Sequence, residues 1–155
     1  VFRLRPTLDG VIGLGPTWRD VTSGFPANLR GFEWVSQPRV FAKADAVIHH
    51  GGINTCVEAA SYGLPMLAYT PGVRDMHGTV SRMAYHGLGL IGDRDKDSPQ
   101  TIAQCLDHIL ADPTIRERAD HMKKALEAER ARSVLEQTID GLLRAPLTPR
   151  HRAGD

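Results

Sequence analysis

Short apolar runs alternate with amphipathic stretches along most of this chain, and the alternation predicts a succession of strands and helices. Residues 9–15 hold a Val-Ile pair ending in glycine and read as a strand, and residues 29–35 (LRGFEWV) read as another. Pro38 opens a short helix through Lys43, because proline suits the first helical position. Residues 44–49 (ADAVIH) predict a buried strand from their β-branched pair. Residues 54–62 follow as a helix with Gly63 as its C-terminal cap, and residues 65–69 as a strand. Residues 76–86 are helical with Gly87 after the last turn, and residues 88–91 form a brief strand. Ser98 caps a helix with Pro99 at its first position and an apolar stripe at Ile102, Leu106, Ile109 and Leu110. Asp112-Pro113 repeats that start signal, and Ile115, Ala119, Met122 and Leu126 keep helical period on a heavily charged helix. Val134, Leu135, Ile139, Leu142 and Leu143 mark a last helix, and residues 145–155, which have no period, are expected to be a flexible tail.

With no internal repeat and no linker, this order predicts an α/β fold: a Rossmann-like parallel sheet with helices on both faces. Sheets of that kind bind ligands at the carboxyl ends of their strands, so the strand exits are where chemistry is sought.

Composition narrows the classes. The chain has 155 residues, enough for one domain with a real core. Lys plus Arg number 19 and Asp plus Glu 18, a balance that points to neither a nucleic-acid groove nor an anionic membrane surface. No apolar run approaches the ~20 residues of a membrane span. Cys56 and Cys105 are too few for a disulfide framework and lack metal spacing, so a reducing, cytoplasmic setting is expected. The chain opens at Val1, and residues 1–5 have no signal-peptide character, so it is read as a piece of something longer.

The chemistry concentrates between Trp34 and Gly89. At its centre His49-His-Gly-Gly-Ile-Asn-Thr55 lies between a strand and a helix. Gly51 and Gly52 allow a sharp turn and a close approach of backbone to ligand. Asn54 and Thr55 then open the helix, whose free N–H groups and dipole suit a phosphate, with His50 placed to donate to a diphosphate oxygen. The alternative is an ordinary Gly-Gly turn with an N-cap and a core histidine, and both stand open. Glu58 also has two readings. Thr55-Cys-Val-Glu58 fits a capping box, which the residues alone favour, and a ribose hydroxyl is the functional alternative. Gly13-Leu-Gly15 is a weak dinucleotide fingerprint, because Trp18 occupies the third glycine's place. His49 and His50, adjacent on a strand, point to opposite faces, and no Cys or carboxylate completes a metal site.

Taken together, these residues resemble the C-terminal, nucleotide-sugar donor-binding domain of a GT-B-fold glycosyltransferase of the UDP-glycosyltransferase family, bacterial type. The likeness runs from Trp34-Val-Ser-Gln37 through Ala44-Asp-Ala-Val-Ile-His-His50, Gly51-Gly-Ile-Asn-Thr-Cys-Val-Glu58, Gly63-Leu-Pro65, Pro71 and Asp75 to Gly87-Leu-Gly89. It implies that Trp34 stacks on the nucleotide base, that Gln37 contacts the base or ribose, and that Glu58 binds the ribose. It implies that His50, Gly51, Gly52, Asn54 and Thr55 hold the diphosphate, and that Asp75 and Met76 face the donor sugar. The donor is a UDP- or dTDP-sugar, with no cofactor and no metal.

Two departures matter. Met76 stands where the family has glutamine and Thr79 where it often has asparagine. Methionine donates no hydrogen bond, which implies a less hydroxylated or otherwise unusual sugar, or a divergent site. The family's acceptor-binding, N-terminal domain, which carries the histidine base, has no counterpart in these residues, so no catalytic base is expected in this chain. Residues 1–144 are therefore read as an N-terminally incomplete donor-binding domain of an inverting, metal-independent hexosyltransferase, inactive alone and partnered by an acceptor domain on the same or a separate chain. A non-catalytic nucleotide-binding subunit and a sugar-nucleotide epimerase of the same fold are the alternatives. The Trp34-to-Gln37 element and Asp75 favour the transferase over the epimerase.

Overall fold

The computed structural model describes residues 1–132 and 134–144. After a 3-10 turn at Phe2–Leu4, the elements run β1 (Gly10–Gly13), α1 (Trp18–Thr22), β2 (Leu29–Phe32), α2 (Gln37–Phe41), β3 (Val47–His49) and α3 (Ile53–Tyr62). They continue as β4 (Met66–Ala68), α4 (Arg74–Tyr85), β5 (Gly89–Ile91), α5 (Pro99–Ala111), α6 (Pro113–Arg132) and α7 (Val134–Arg144). Every strand pairing is parallel, so all strand exits within a sheet lie at one end.

The expected parallel α/β class holds, but the strands form two sheets. β1 pairs with β2 in the register Gly10↔Leu29, and β3, β4 and β5 form the second sheet in that order. The physical reason lies in the edges. Val47 N–H bonds to Pro65 C=O at 3.0 Å and Tyr69 N–H to His49 C=O at 2.9 Å, so these β3 residues turn their main-chain groups toward β4. No described strand pairs with the other edge of β3 or of β1.

Helical cover is complete only over the centre of the second sheet. Met66 and Ala68 of β4 join one core cluster with Cys56, Ala59 and Ala60 of α3, Val80 and Met83 of α4, and Ala119 of α6. Leu67, between them, points to the opposite face and joins Leu106 and Ile109 of α5. Elsewhere cover lapses: Val11, Ile12 and Ile48 remain exposed on their strands. The N-terminal segment is held to α5 by Arg5, whose guanidinium grips Asp107.

Several boundaries differ from expectation. β2 stops at Phe32, so Glu33 and Trp34 leave the sheet before α2 begins at Gln37. α4 starts at Arg74, two residues early. The local stop signals act as expected: Gly63 adopts a left-handed φ of 71° and Leu64 N–H reaches back to Ala59 C=O at 3.0 Å. Ser98 Oγ accepts Thr101 N–H at 3.1 Å, satisfying one of the free donors at the start of α5. Ser98→Ala is expected to cost about 1 kcal/mol in urea unfolding, with Ser98→Asp recovering most of it.

On α7, Leu142 and Leu143 are exposed. Among the described residues no helix is long and apolar enough to cross a membrane. The expected tail, residues 145–155, lies outside the described residues.

Candidate functional site

The residues singled out from the sequence all follow strand exits: Trp34 after β2, His50 to Thr55 after β3, and Asp75 and Met76 after β4. The turn after β3 is built around two glycines with different jobs. Gly51 is buried at φ +94°, and a Cβ there would lie 2.9 Å from Val80 Cγ1 and 3.0 Å from Thr70 Cγ2. Gly52 makes room for the neighbouring ring, since its Cβ would stand 2.8 Å from His50 Nε2. The His50 imidazole is thus folded toward the start of α3.

That start is not where the sequence placed it. Gly52 is the N-cap and makes no side-chain capping bond, Ile53 is the first helical residue, and Cys56 N–H to Gly52 C=O (3.1 Å) is the first bond of the helix. The N–H groups of Ile53, Asn54 and Thr55 therefore have no partner within the helix. This register removes the capping box. Thr55 is not the N-cap, and Glu58 lies five residues into the helix, beyond the reach that reciprocal capping needs. Glu58 instead lines a groove, and its Oε2 is shut off from solvent with no hydrogen-bond partner among the described residues.

The groove has a volume of about 530 Å³ and is lined by Gly13, Gly15, Glu33, Trp34, Val35, Ser36, Gln37, Pro38 and Glu58. Trp34 is 77% exposed, so it fills no core. Gln37 Nε2 donates to Thr55 Oγ1 at 3.4 Å, which joins the groove to the first turn of α3. Trp34, Gln37, Thr55 and Glu58 are thereby gathered on one surface from α3 and the exit of β2.

α4 begins beside this turn: a Cβ on Gly51 would stand 3.5 Å from Met76 Cβ. Asp75 is exposed, and its Oδ1 accepts Met76 N–H at 2.9 Å. Asp75 is not brought into the groove, and neither is His50 or Asn54.

Four residues in this region were not assigned to it from the sequence. Gly13 and Gly15, a weak fingerprint in the sequence, form part of the groove wall, and Glu33 joins them. The available signal was their position at strand exits. His49 is the fourth. It is 7% exposed, and its Nδ1 accepts Gly51 N–H at 3.2 Å. Burial first, then the neighbouring His50, lowers its pKa to about 4.

Comparison with known proteins gives the same architecture. The family described as erythromycin biosynthesis protein CIII-like, C-terminal domain, matches residues 8–139. Zeaxanthin glucosyltransferase of Pseudescherichia vulneris is 35% identical over 112 residues, covering 70% of this chain. Demethyllactenocin mycarosyltransferase of Streptomyces fradiae is 29% identical over 150 residues, covering 92% of it. The chain spans only 27% and 31% of those two relatives' lengths. The calicheamicin glycosyltransferase CalG4 superposes with a TM-score of 0.74 at 25% identity, over 88% of this chain and 35% of CalG4. Glycosyltransferase VinC, solved in complex with dTDP, superposes with a TM-score of 0.71 at 24% identity, over 77% of this chain and 30% of VinC. With most of its length matched, the chain belongs to the erythromycin biosynthesis protein CIII-like C-terminal-domain family of GT-B glycosyltransferases.

Proposed function

We propose that the chain binds the nucleoside diphosphate sugar donor of an inverting, metal-independent glycosyltransferase, with a deoxysugar or similarly sparse sugar as cargo. The observation that carries this reading is the junction of the Trp34 groove with the first turn of α3 through Gln37 and Thr55. A pyrimidine base stacks on the open face of Trp34, beside Gln37. The ribose hydroxyls donate to the carboxylate of Glu58, which lines the groove and whose Oε2 has no partner among the described residues. The diphosphate lies against His50, Gly51, Gly52, Asn54 and Thr55, where the first N–H groups of α3 have no partner within the helix. The sugar reaches toward α4, with Asp75 as acceptor for its hydroxyls. Met76 offers an apolar thioether there, which suits a sugar with fewer hydroxyls.

In the reaction the acceptor oxygen forms a bond to the anomeric carbon as the bond from that carbon to the diphosphate oxygen breaks. The electron pair leaves with the diphosphate, whose added charge is met by His50 and the α3 amides. The acceptor proton passes to a base on an acceptor-binding domain, so the chain alone transfers no sugar. The free thiols Cys56 and Cys105 are in keeping with a reducing, cytoplasmic setting.

The test is calorimetric titration of the full chain with dTDP and UDP in EDTA. Binding of at least one without metal is expected. Binding of neither, or binding that appears only with magnesium, would overturn the reading. Trp34→Ala is expected to weaken the bound nucleotide by about 1–3 kcal/mol, the scale of base–aromatic stacking, with an unchanged circular dichroism spectrum. A variant that unfolds would instead assign Trp34 to packing.

A further inference from the structure

His49 ends β3 with its carbonyl in the sheet, accepting Tyr69 N–H at 2.9 Å, and its side chain buried. Two residues on, the Gly51 amide is buried in a turn that neither strand nor helix reaches. A buried N–H needs a partner, and the structure supplies one side-chain atom: His49 Nδ1, at 3.2 Å. An imidazole that accepts at Nδ1 carries its hydrogen on Nε2, and Nε2 is sealed from solvent with no partner among the described residues. The ring therefore leaves one buried donor unsatisfied while satisfying another, an arrangement that costs stability and calls for a reason.

The reason we infer is that His49 is a positioning residue for the diphosphate turn: its Nδ1 captures the Gly51 amide and so aims His50 and the first turn of α3 at the ligand. Gly51 by itself does not hold the turn in this shape. Its φ of +94° is a conformation glycine enters and leaves easily, and the chain reverses between a strand and a helix within three residues, 50–52. One hydrogen bond from the last strand residue ties that reversal to the sheet, as an aspartate or asparagine side chain ties a turn two residues on. Burial also keeps the imidazole neutral, the only form in which Nδ1 can accept. The inference rests on the donor-binding reading, since it names what holds that reading's phosphate site in shape.

The experiment compares the full chain with His49→Asn and His49→Leu, each titrated with dTDP and with thymidine. Asparagine can accept an amide two residues on, and leucine cannot. His49→Leu is expected to lose about tenfold in dTDP affinity, the worth of one buried hydrogen bond, with thymidine affinity unchanged. His49→Asn is expected to keep dTDP affinity within about threefold. An unchanged dTDP affinity in His49→Leu, or an equal loss for dTDP and thymidine, overturns the inference while the donor-binding reading stands. A wild-type chain that binds no dTDP overturns both. Two measurements on the wild-type chain hold even where a variant fails to fold. Nitrogen-15 shifts of the His49 ring are expected to show the Nε2–H tautomer, and the Gly51 amide is expected to exchange slowly at neutral pH. An Nδ1–H tautomer or a fast-exchanging Gly51 amide overturns the inference directly.

Discussion

Gly51→Ala is expected to destabilise the chain by about 2–5 kcal/mol and to abolish the proposed dTDP binding. Two costs combine. A left-handed backbone costs an L-residue about 1–2 kcal/mol. The added methyl then stands 2.9 Å from Val80 Cγ1 and 3.0 Å from Thr70 Cγ2, and overpacking of that kind costs about 1–3 kcal/mol. Val80 is buried in the main core cluster and cannot step aside without disturbing α4. Gly72 provides the control. Its φ is +82° but a Cβ there meets nothing within 4 Å among the described residues, so Gly72→Ala pays only the backbone cost, about 1–2 kcal/mol. Urea unfolding of both variants separates the two contributions. Equal losses at Gly51 and Gly72 would show that the turn has room for a side chain and that its packing against α4 is loose.

Acidification is expected to remove about 3 kcal/mol of stability between pH 6.5 and pH 4, through His49. Its pKa is about 4 in the folded chain against 6.5 when exposed, because burial disfavours the imidazolium and His50 adds repulsion. Across that window the unfolded chain holds a proton that the folded chain does not. Stability is therefore full above pH 6.5 and falls as the pH drops toward 4, at about 1.4 kcal/mol per pH unit. Asp93, Asp107 and Asp112 behave differently. Each is held below the ordinary carboxylate value, Asp93 by Lys96, Asp107 by Arg5 and Asp112 by the Thr114 amide, so their contribution is lost only below about pH 3.8. Urea midpoints at pH 7, 5.5 and 4 test the expectation. The wild-type midpoint should fall across the series and that of His49→Gln should stay flat. A flat wild-type curve would mean that His49 is hydrated in solution.

Much of the site's location was legible because its markers are local. Gly-Gly after a β-branched run needs only its neighbours to signal a strand exit, and Trp34 and Gln37 sit three residues apart on one such exit. Glu58 was not legible in the same way. Its spacing from Thr55 satisfies a capping box, and the pattern alone does not say which residue caps the helix. In the fold Gly52 is the N-cap and α3 starts at Ile53, which puts Glu58 past the cap and on the groove wall.

By itself the sequence determined the order of strands and helices, the positions of the helix stops at Gly63 and Gly87, the Ser98 cap, and the strand exits that carry the proposed donor site. Each of those depends on backbone preferences and side-chain bonds that span a few residues. Tertiary structure decided the rest. The grouping of the five described strands into two sheets, the exposure of Trp34, the meeting of Gln37 with Thr55 and the burial of His49 all depend on residues well separated in the chain. Edge pairing and close packing are properties of surfaces that exist only once the chain has folded, and no local pattern carries them.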